Sequence, residues 1–433
     1  MNLVAVSFNQ GSTLIVNIII ARILLKQSFG AYAIIYSTLV TAATLAQFAT
    51  GGTSAKYVAE FRSTDPERAG RIMGACLSLS VMIASGGTIL LIALARWLAG
   101  SMLKSPSLAV PLIIGSGFLF FSAINGYQTG ALSGLEAFPS LAKAGIVSAI
   151  IAIIGIPLGA LWGGLNGSFI GLTVAGVLRC VIHNKWLRLE CRRLDIKPRY
   201  HGSLKNEKDV IYRFALPAAM GNYYSMPLIW LANSFLVRQA GGYGEMALYS
   251  AANNLHILAL FIPNIMFNVG VSILNYEKSR GDGTHYNKTF ISNSRYIFLT
   301  SLGSVIIIGL FGRPILLLFG KDFKAGYPIL WLLLVASLFE GLSIALYQYI
   351  QTKAKIWLSF FFINVPREAF LVLAAYFLVR PYGGVGLAYA FLGAALIGLI
   401  CHSSVVATLY RKGIRADQAA FIESGAKISG SYD

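Results

Sequence analysis

Charge is what this chain has least of. Only 12% of its 433 residues are Asp, Glu, Lys or Arg, about half the share of an average soluble domain. So few charges cannot cover a soluble surface of this size. Disorder is excluded as well, because 56% of the residues are hydrophobic. Acids are scarcer than bases, 17 against 35, which leaves a formal net charge of +18. Nucleic acid is not the expected partner, since the basic residues sit between long apolar runs and form no continuous patch. The four cysteines, Cys76, Cys180, Cys191 and Cys401, have neither metal-ligand spacing nor the pattern of a disulfide framework. There is no Gly-x-x-x-x-Gly-Lys-[Ser/Thr] phosphate loop and no hydrolase or transferase constellation. An ATP-driven pump, an enzyme, a metal site and a cofactor are therefore not expected. No basic region precedes the first apolar stretch, so that stretch is expected to be a retained span and not a cleaved signal.

What the chain does have is long apolar runs. A spanning helix needs about 20 mostly apolar residues. Twelve runs qualify, at approximately 3–25, 29–52, 72–99, 107–131, 140–162, 164–184, 211–237, 244–271, 294–312, 325–351, 355–379 and 383–410. They are too long and too unalternating for a barrel, and open strands cannot cross lipid. The expected class is an all-α polytopic membrane protein of about twelve helices. With a cytoplasmic N-terminus, 25 Lys and Arg fall on the cytoplasmic side and 9 on the other, with Arg367 left mid-span. That asymmetry places both termini in the cytoplasm. The expected organisation is a six-helix lobe over 1–184, a basic cytoplasmic loop over 185–210, a second six-helix lobe over 211–410 and a cytoplasmic tail over 411–433. The basic run from Arg179 to Arg213 reads as this loop, lying near anionic headgroups.

The two halves share short patterns. Lys26-Gln27-Ser28-Phe29-Gly30 with Tyr36-Ser37 matches Arg238-Gln239-Ala240-Gly241-Gly242 with Tyr249-Ser250. Gly164-Leu165-Asn166-Gly167 matches Gly383-Gly384-Val385-Gly386, offset by 219 residues. Equivalent placement in each half points to a duplicated 6+6 transporter with parallel repeats.

Polar side chains concentrate on spans one, two, seven and eight. At 100° per residue Asn9, Thr13 and Asn17 form one stripe on span one, and Ser37, Thr41 and Thr44 form one on span two. Asn222, Ser225 and Asn233 lie together on span seven, and Tyr249, Asn253, His256 and Asn264 on span eight. Two readings fit: a hydrated cavity between the halves, or Asn and Ser acting as packing glue. Arg22, at the end of span one, is a candidate cavity cation or a snorkelling interface residue. Glu340, Arg367 and Glu368 lie mid-span, where a charge costs ~3 kcal/mol on insertion scales, so partners are expected. Glu340 with Arg367 is the expected pair, either structural or coupled to an ion.

Ala21-Arg22-Ile23-Leu24 through Phe29-Gly30-Ala31-Tyr32 resembles the A-R-x-L-x(4)-F-G-x-Y opening of the Wzx-type polysaccharide flippases. These form the PST branch of the multidrug/oligosaccharidyl-lipid/polysaccharide (MOP) exporter superfamily. Leu248-Tyr249-Ser250-Ala251-Ala252, Leu318-Phe319-Gly320-Lys321-Asp322-Phe323 and Tyr382-Gly383-Gly384-Val385-Gly386-Leu387-Ala388 resemble further motifs of that family. The resemblance implies two six-helix lobes in a V, as in MATE transporters. It also implies a flippase for undecaprenyl-pyrophosphate-linked oligosaccharide that works by alternating access in the cytoplasmic membrane. In that role Arg22 is the candidate pyrophosphate contact. Asn9, Thr13, Asn17, Thr41, Asn222, Asn233, Tyr249, Asn253 and His256 are the candidate glycan contacts. Membrane lipids, a polysaccharide polymerase and glycosyltransferases are the expected partners. The alternatives are a drug/cation antiporter and a peptidoglycan-precursor flippase of the same superfamily. A membrane glycan polymerase is disfavoured because the longest outer loop, around 313–324, is too short for an active site.

Overall fold

The computed structural model describes residues 2–199, 207, 216–279, 283–353 and 355–429. Every regular element among them is helical. In chain order these are α1 (Asn2–Gln47), α2 (Thr50–Phe61), α3 (Pro66–Trp97), α4 (Ala109–Gly134) and α5 (Phe138–Arg193). Then come α6 (Leu216–Val237), α7 (Gly242–Ala259), α8 (Phe261–Ser279), α9 (Gly283–Phe319) and α10 (Tyr327–Thr352). The short helix Ile356–Ser359 and the π-turn Phe360–Asn364 lead into α11 (Val365–Ser429).

Eight helical stretches among the described residues are long and apolar enough to cross a membrane. Phe8–Phe61, Phe138–Arg193 and Trp357–Arg411 run 54, 56 and 55 residues. At 1.5 Å per residue each is ~80 Å long, more than twice the ~30 Å hydrocarbon core. Each is broken inside. Leu25 interrupts α1 at φ 62°, ψ 171°. Gly164 interrupts α5 at φ 56°, ψ −132°, and Gly383 interrupts α11 at φ 55°, ψ −131°. The two glycines occupy equivalent places in the sequence repeat and adopt the same backbone conformation, one closed to residues with a Cβ. The correspondence extends to packing. A Cβ on Gly167 would strike the Gly159 carbonyl, and one on Gly386 would strike the Leu378 carbonyl, so both turns fold a helix back tightly on the one before it.

The chain divides into two compact units. One comprises Met1–Asn254, Arg313–Ile329 and Ala375–Leu387; the other comprises Leu255–Gly312, Leu330–Ala374 and Ala388–Asp433. In the first unit α1 packs on α3, α4, α5 and α6. Its interior includes the fully buried Ile20, Phe29, Ile34, Leu39, Leu112 and Phe169. Phe29 stacks edge-on against Phe319 and Phe323, which fixes the turn after α9. In the second unit Leu274, Tyr286 and Tyr349 form a buried cluster, closed by Tyr286 Oη and Thr352 Oγ1 at 2.6 Å. α5 continues as helix to Arg193, so the basic run from Arg179 begins inside a helix.

Candidate functional site

A cavity of about 130 Å³ lies inside the first unit. Its walls follow from helical spacing. Asn9, Thr13 and Asn17, four residues apart, give α1 a polar stripe. Tyr32 and Tyr36 repeat the spacing further along α1, and Ser148, Ala152 and Ile156 repeat it on the first half of α5. On the second half of α5, Leu172, Ala175, Gly176 and Arg179 occupy the i, i+3, i+4 and i+7 positions of one face. The space exists because Ala149, Ala152, Ala175 and Gly176 are small, and Arg179 projects into it from the edge of that face.

Most of the polar lining is already tethered. Asn17 Nδ2 donates to Asn254 Oδ1 at 2.9 Å, and Asn254 Nδ2 donates to the Ser250 carbonyl at 2.8 Å. Thr13 Oγ1 donates to the Asn9 carbonyl at 3.1 Å. Arg179 differs: its side chain is water-accessible, and among the described residues it has no carboxylate partner. Its neighbours are the Tyr36 phenol and His183, whose Nδ1 donates to the Arg179 carbonyl at 2.9 Å. A cation facing a small wet chamber lined by amides, hydroxyls and phenols is suited to an anionic, hydroxyl-rich ligand.

Arg22 is placed elsewhere. It is exposed, and it donates through Nε to the Leu318 carbonyl at 2.6 Å and through Nη2 to the Leu317 carbonyl at 2.7 Å. These are among the last carbonyls of α9, where the i+4 ladder runs out (Leu317 accepts instead from the Gly320 N–H at 3.2 Å), and they sit at the negative end of the helix dipole. Arg22 therefore caps a helix in this structure and lies outside the lining of the cavity. Thr41, Asn233, Tyr249 and Asn253 also lie outside the lining of this cavity. Asn233 and Tyr249 are buried on α6 and α7. The Asn222 side chain lies outside the described residues. Of the expected glycan contacts, the cavity gathers Asn9, Thr13 and Asn17.

The second unit holds a charged cluster. His256 Nε2 and Glu340 Oε2 are 2.8 Å apart, and Arg367 Nη2 donates to Glu340 Oε1 at 3.2 Å. Arg367 Nη1 also lies 3.7 Å from Glu368 Oε1. His256, expected to contact substrate, is instead the hydrogen-bond partner of a carboxylate 84 positions further along the chain. Pro366 cannot supply a helical N–H, and the chain takes the π-turn Phe360–Asn364 just before it. A cavity of about 380 Å³ opens on Glu340 and Arg367, with Asn264, Tyr347, Asn364 and His402 in its wall. Among the described residues no three His, Cys, Asp or Glu side chains are placed to hold a metal ion.

Comparison with known proteins gives the setting. A family model described as "Polysaccharide biosynthesis protein" matches residues 1–271. The EPS I polysaccharide export inner membrane protein EpsE of Ralstonia nicotianae is 25% identical over 97% of this chain and 94% of its own length. Among solved structures, a multidrug resistance MATE family transporter of the MOP superfamily, in its inward-facing conformation, superposes with a TM-score of 0.77 at 17% identity. That match covers 93% of this chain and 96% of the transporter. The lipid II flippase MurJ superposes with a TM-score of 0.73 at 17% identity, over 93% of this chain and 86% of MurJ. The fold is thus the all-α, multi-pass fold of the MOP superfamily.

Proposed function

The chain belongs to the polysaccharide biosynthesis protein family, and from that premise we propose that it flips an undecaprenyl-pyrophosphate-linked oligosaccharide across the cytoplasmic membrane. The observation that carries this reading is Arg179, a cation without a carboxylate partner among the described residues, facing a chamber of Asn9, Thr13, Asn17 and Tyr36. A pyrophosphate must leave water to cross ~30 Å of hydrocarbon, and a guanidinium can hold it by charge-assisted, bidentate bonds. The amides and hydroxyls suit the sugar next to it. A volume of about 130 Å³ admits a headgroup and not a whole glycan. The chamber therefore opens further during an alternating-access cycle, while the polyprenyl tail stays in lipid.

The same reading includes twelve spans in two lobes of six. The support is arithmetic: the three longest apolar stretches each hold two crossings, and α6 adds one that lies outside the eight. It also includes cytoplasmic termini, from the distribution of Lys and Arg. A polysaccharide polymerase and glycosyltransferases are the partners that would act before and after the flip. The drug/cation antiporter reading wants a carboxylate in the cavity of the first unit, and the lining of that cavity has none.

The test is a deletion strain complemented with wild type or Arg179→Ala at matched membrane levels. Surface polysaccharide should return with wild type only. With the variant, complete but unpolymerised lipid-linked units should collect on the cytoplasmic leaflet. Normal surface polysaccharide with cation sensitivity would transfer the protein to the antiporters. Units that reach the outer leaflet and stay unpolymerised would make it a polymerase partner.

A further inference from the structure

The cavity of the second unit has no part in the reading so far, yet its wall is built as the first chamber's is. Glu340, Ser343, Ile344 and Tyr347 take the i, i+3, i+4 and i+7 positions of α10. Ala395, Gly398 and His402 share a face of α11, and the first two leave space because they are small. Asn264 enters from α8, and Asn364 ends the π-turn before Pro366. At about 380 Å³ the space lies at the small end of ligand pockets, which run ~300–1,000 Å³.

This wall holds hydrogen-bonding groups that the protein itself does not use. His402 donates its Nδ1–H to the Gly398 carbonyl at 2.7 Å, which leaves Nε2 of the neutral ring as an acceptor. Asn264 donates through Nδ2 to the Leu260 carbonyl at 2.8 Å and keeps Oδ1. Among the described residues neither the Tyr347 phenol nor the Asn364 amide has a hydrogen-bond partner. Rings hold Tyr347 in position: Phe267 stacks on it at 5.7 Å, and His402 meets it edge-on at 6.0 Å. Polar groups away from bulk water call for partners, and a ligand can supply them.

The charges narrow the ligand. Glu340 and Arg367 are the acid and base of the wall, and they bond to each other at 3.2 Å. An anion here would meet the Glu340 carboxylate and a cation the Arg367 guanidinium. Arg179 in the first unit has no such carboxylate among the described residues. What remains is a mixture of donors and acceptors: two amides, a phenol and an imidazole. A sugar hydroxyl both donates and accepts, so a neutral pyranose suits this set.

We infer that the cavity of the second unit binds one neutral sugar residue, a hexose or an N-acetylhexosamine and not an acidic sugar, through Asn264, Tyr347, Asn364 and His402. That this sugar is part of the flipped oligosaccharide rests on the flippase reading; the binding does not. On that reading the glycan, which the 130 Å³ chamber does not admit, finds hydroxyl partners here.

Purified protein in nanodiscs, free of sugar detergents, is mixed with single methyl glycosides. The neutral probes are those of glucose, galactose, mannose, N-acetylglucosamine and N-acetylgalactosamine; the acidic probe is methyl glucuronide. Saturation transfer from protein to sugar is read by NMR. At least one neutral glycoside should show saturable transfer, and methyl glucuronide should show none. Asn364→Leu and Tyr347→Phe should each weaken that binding about tenfold. Tyr389→Phe, which alters an exposed phenol of the same unit, should leave it unchanged. Melting temperatures show which variants are folded, and if one of the pair is not, the other decides. No transfer above empty nanodiscs from any neutral glycoside overturns the site, and so does transfer unchanged in the folded variants; the cavity is then a packing void. Methyl glucuronide binding as tightly as the neutral sugars overturns the choice of a neutral ligand. Export keeps the two claims apart. Glycoside binding with normal export in a deletion strain would refute the flippase reading and leave the site standing. Export lost on deletion, with no glycoside bound, would refute the site and leave the flippase reading standing.

Discussion

Arg22→Ala and Arg179→Ala should shift stability in opposite directions, and only Arg179→Ala should abolish export. Arg179 has no carboxylate partner among the described residues and occupies a helix that crosses the membrane. On insertion scales such a cation costs ~3 kcal/mol at mid-membrane and less toward the end of a span, where Arg179 stands, and water in the cavity relieves part of that. Removing it should stabilise the fold by ~1–2 kcal/mol, the usual sign when a functional charge is deleted from a wet pocket. Arg22 makes two charge-assisted bonds to the end of α9 from an exposed position. Screening by solvent reduces their joint value to ~1 kcal/mol, and that is what Arg22→Ala should lose.

Thermal unfolding of both variants in one detergent checks the signs. Arg179→Ala should melt about 1–3 °C above wild type and Arg22→Ala about 1–3 °C below. Export should behave the other way, abolished in Arg179→Ala and largely kept in Arg22→Ala. Arg179→Lys keeps the charge but not the planar fork, so export should fall and not vanish. An Arg179→Ala protein melting several degrees low would mean the guanidinium holds the helices together. The cavity would then be a packing defect and not a binding site.

The remaining predictions concern backbone and ion pairs. Gly30→Ala should abolish folded protein, because a Cβ there would overlap the Tyr243 carbonyl, and backbone cannot move aside as a side chain can. Gly164→Ala should cost ~1–3 kcal/mol from backbone strain alone, since nothing lies within 4 Å of the added atom. Gly383→Ala should cost more, because its Cβ would sit 3.1 Å from Glu245 Oε2, the acceptor of the Gly384 N–H; detergent melting curves of the two variants give the comparison. Arg367→Leu should destabilise by ~3–5 kcal/mol by removing the cation paired with the buried Glu340, and Glu340→Gln should cost less because it keeps an acceptor for His256.

What was readable in the sequence divides along a physical line. Runs of apolar residues announce helices because each span must satisfy its own backbone in lipid. The Gly-x-x-Gly pairs announced matching turns because only glycine readily combines φ near 55° with ψ near −131°. A residue's face on its own helix was readable too, which is why Asn9, Thr13 and Asn17 stand together in the cavity wall. What a face meets was not readable. Nothing within four residues of His256 marks Glu340 as its partner, and helical spacing carries no information across 84 positions. Arg22 was a candidate cavity cation as a lone positive charge at the end of span one, yet the carbonyls it caps lie nearly 300 positions away. Arg179 was hidden by its company, as the first of a basic run whose later members, among the described residues, are exposed charges. The sign that it differed was the small-residue stripe Ala175 and Gly176 leading to it. A cavity in a membrane helix bundle is made by volume that is missing, so alanine and glycine on the face of a lone arginine are better evidence of a site than any polar residue beside it.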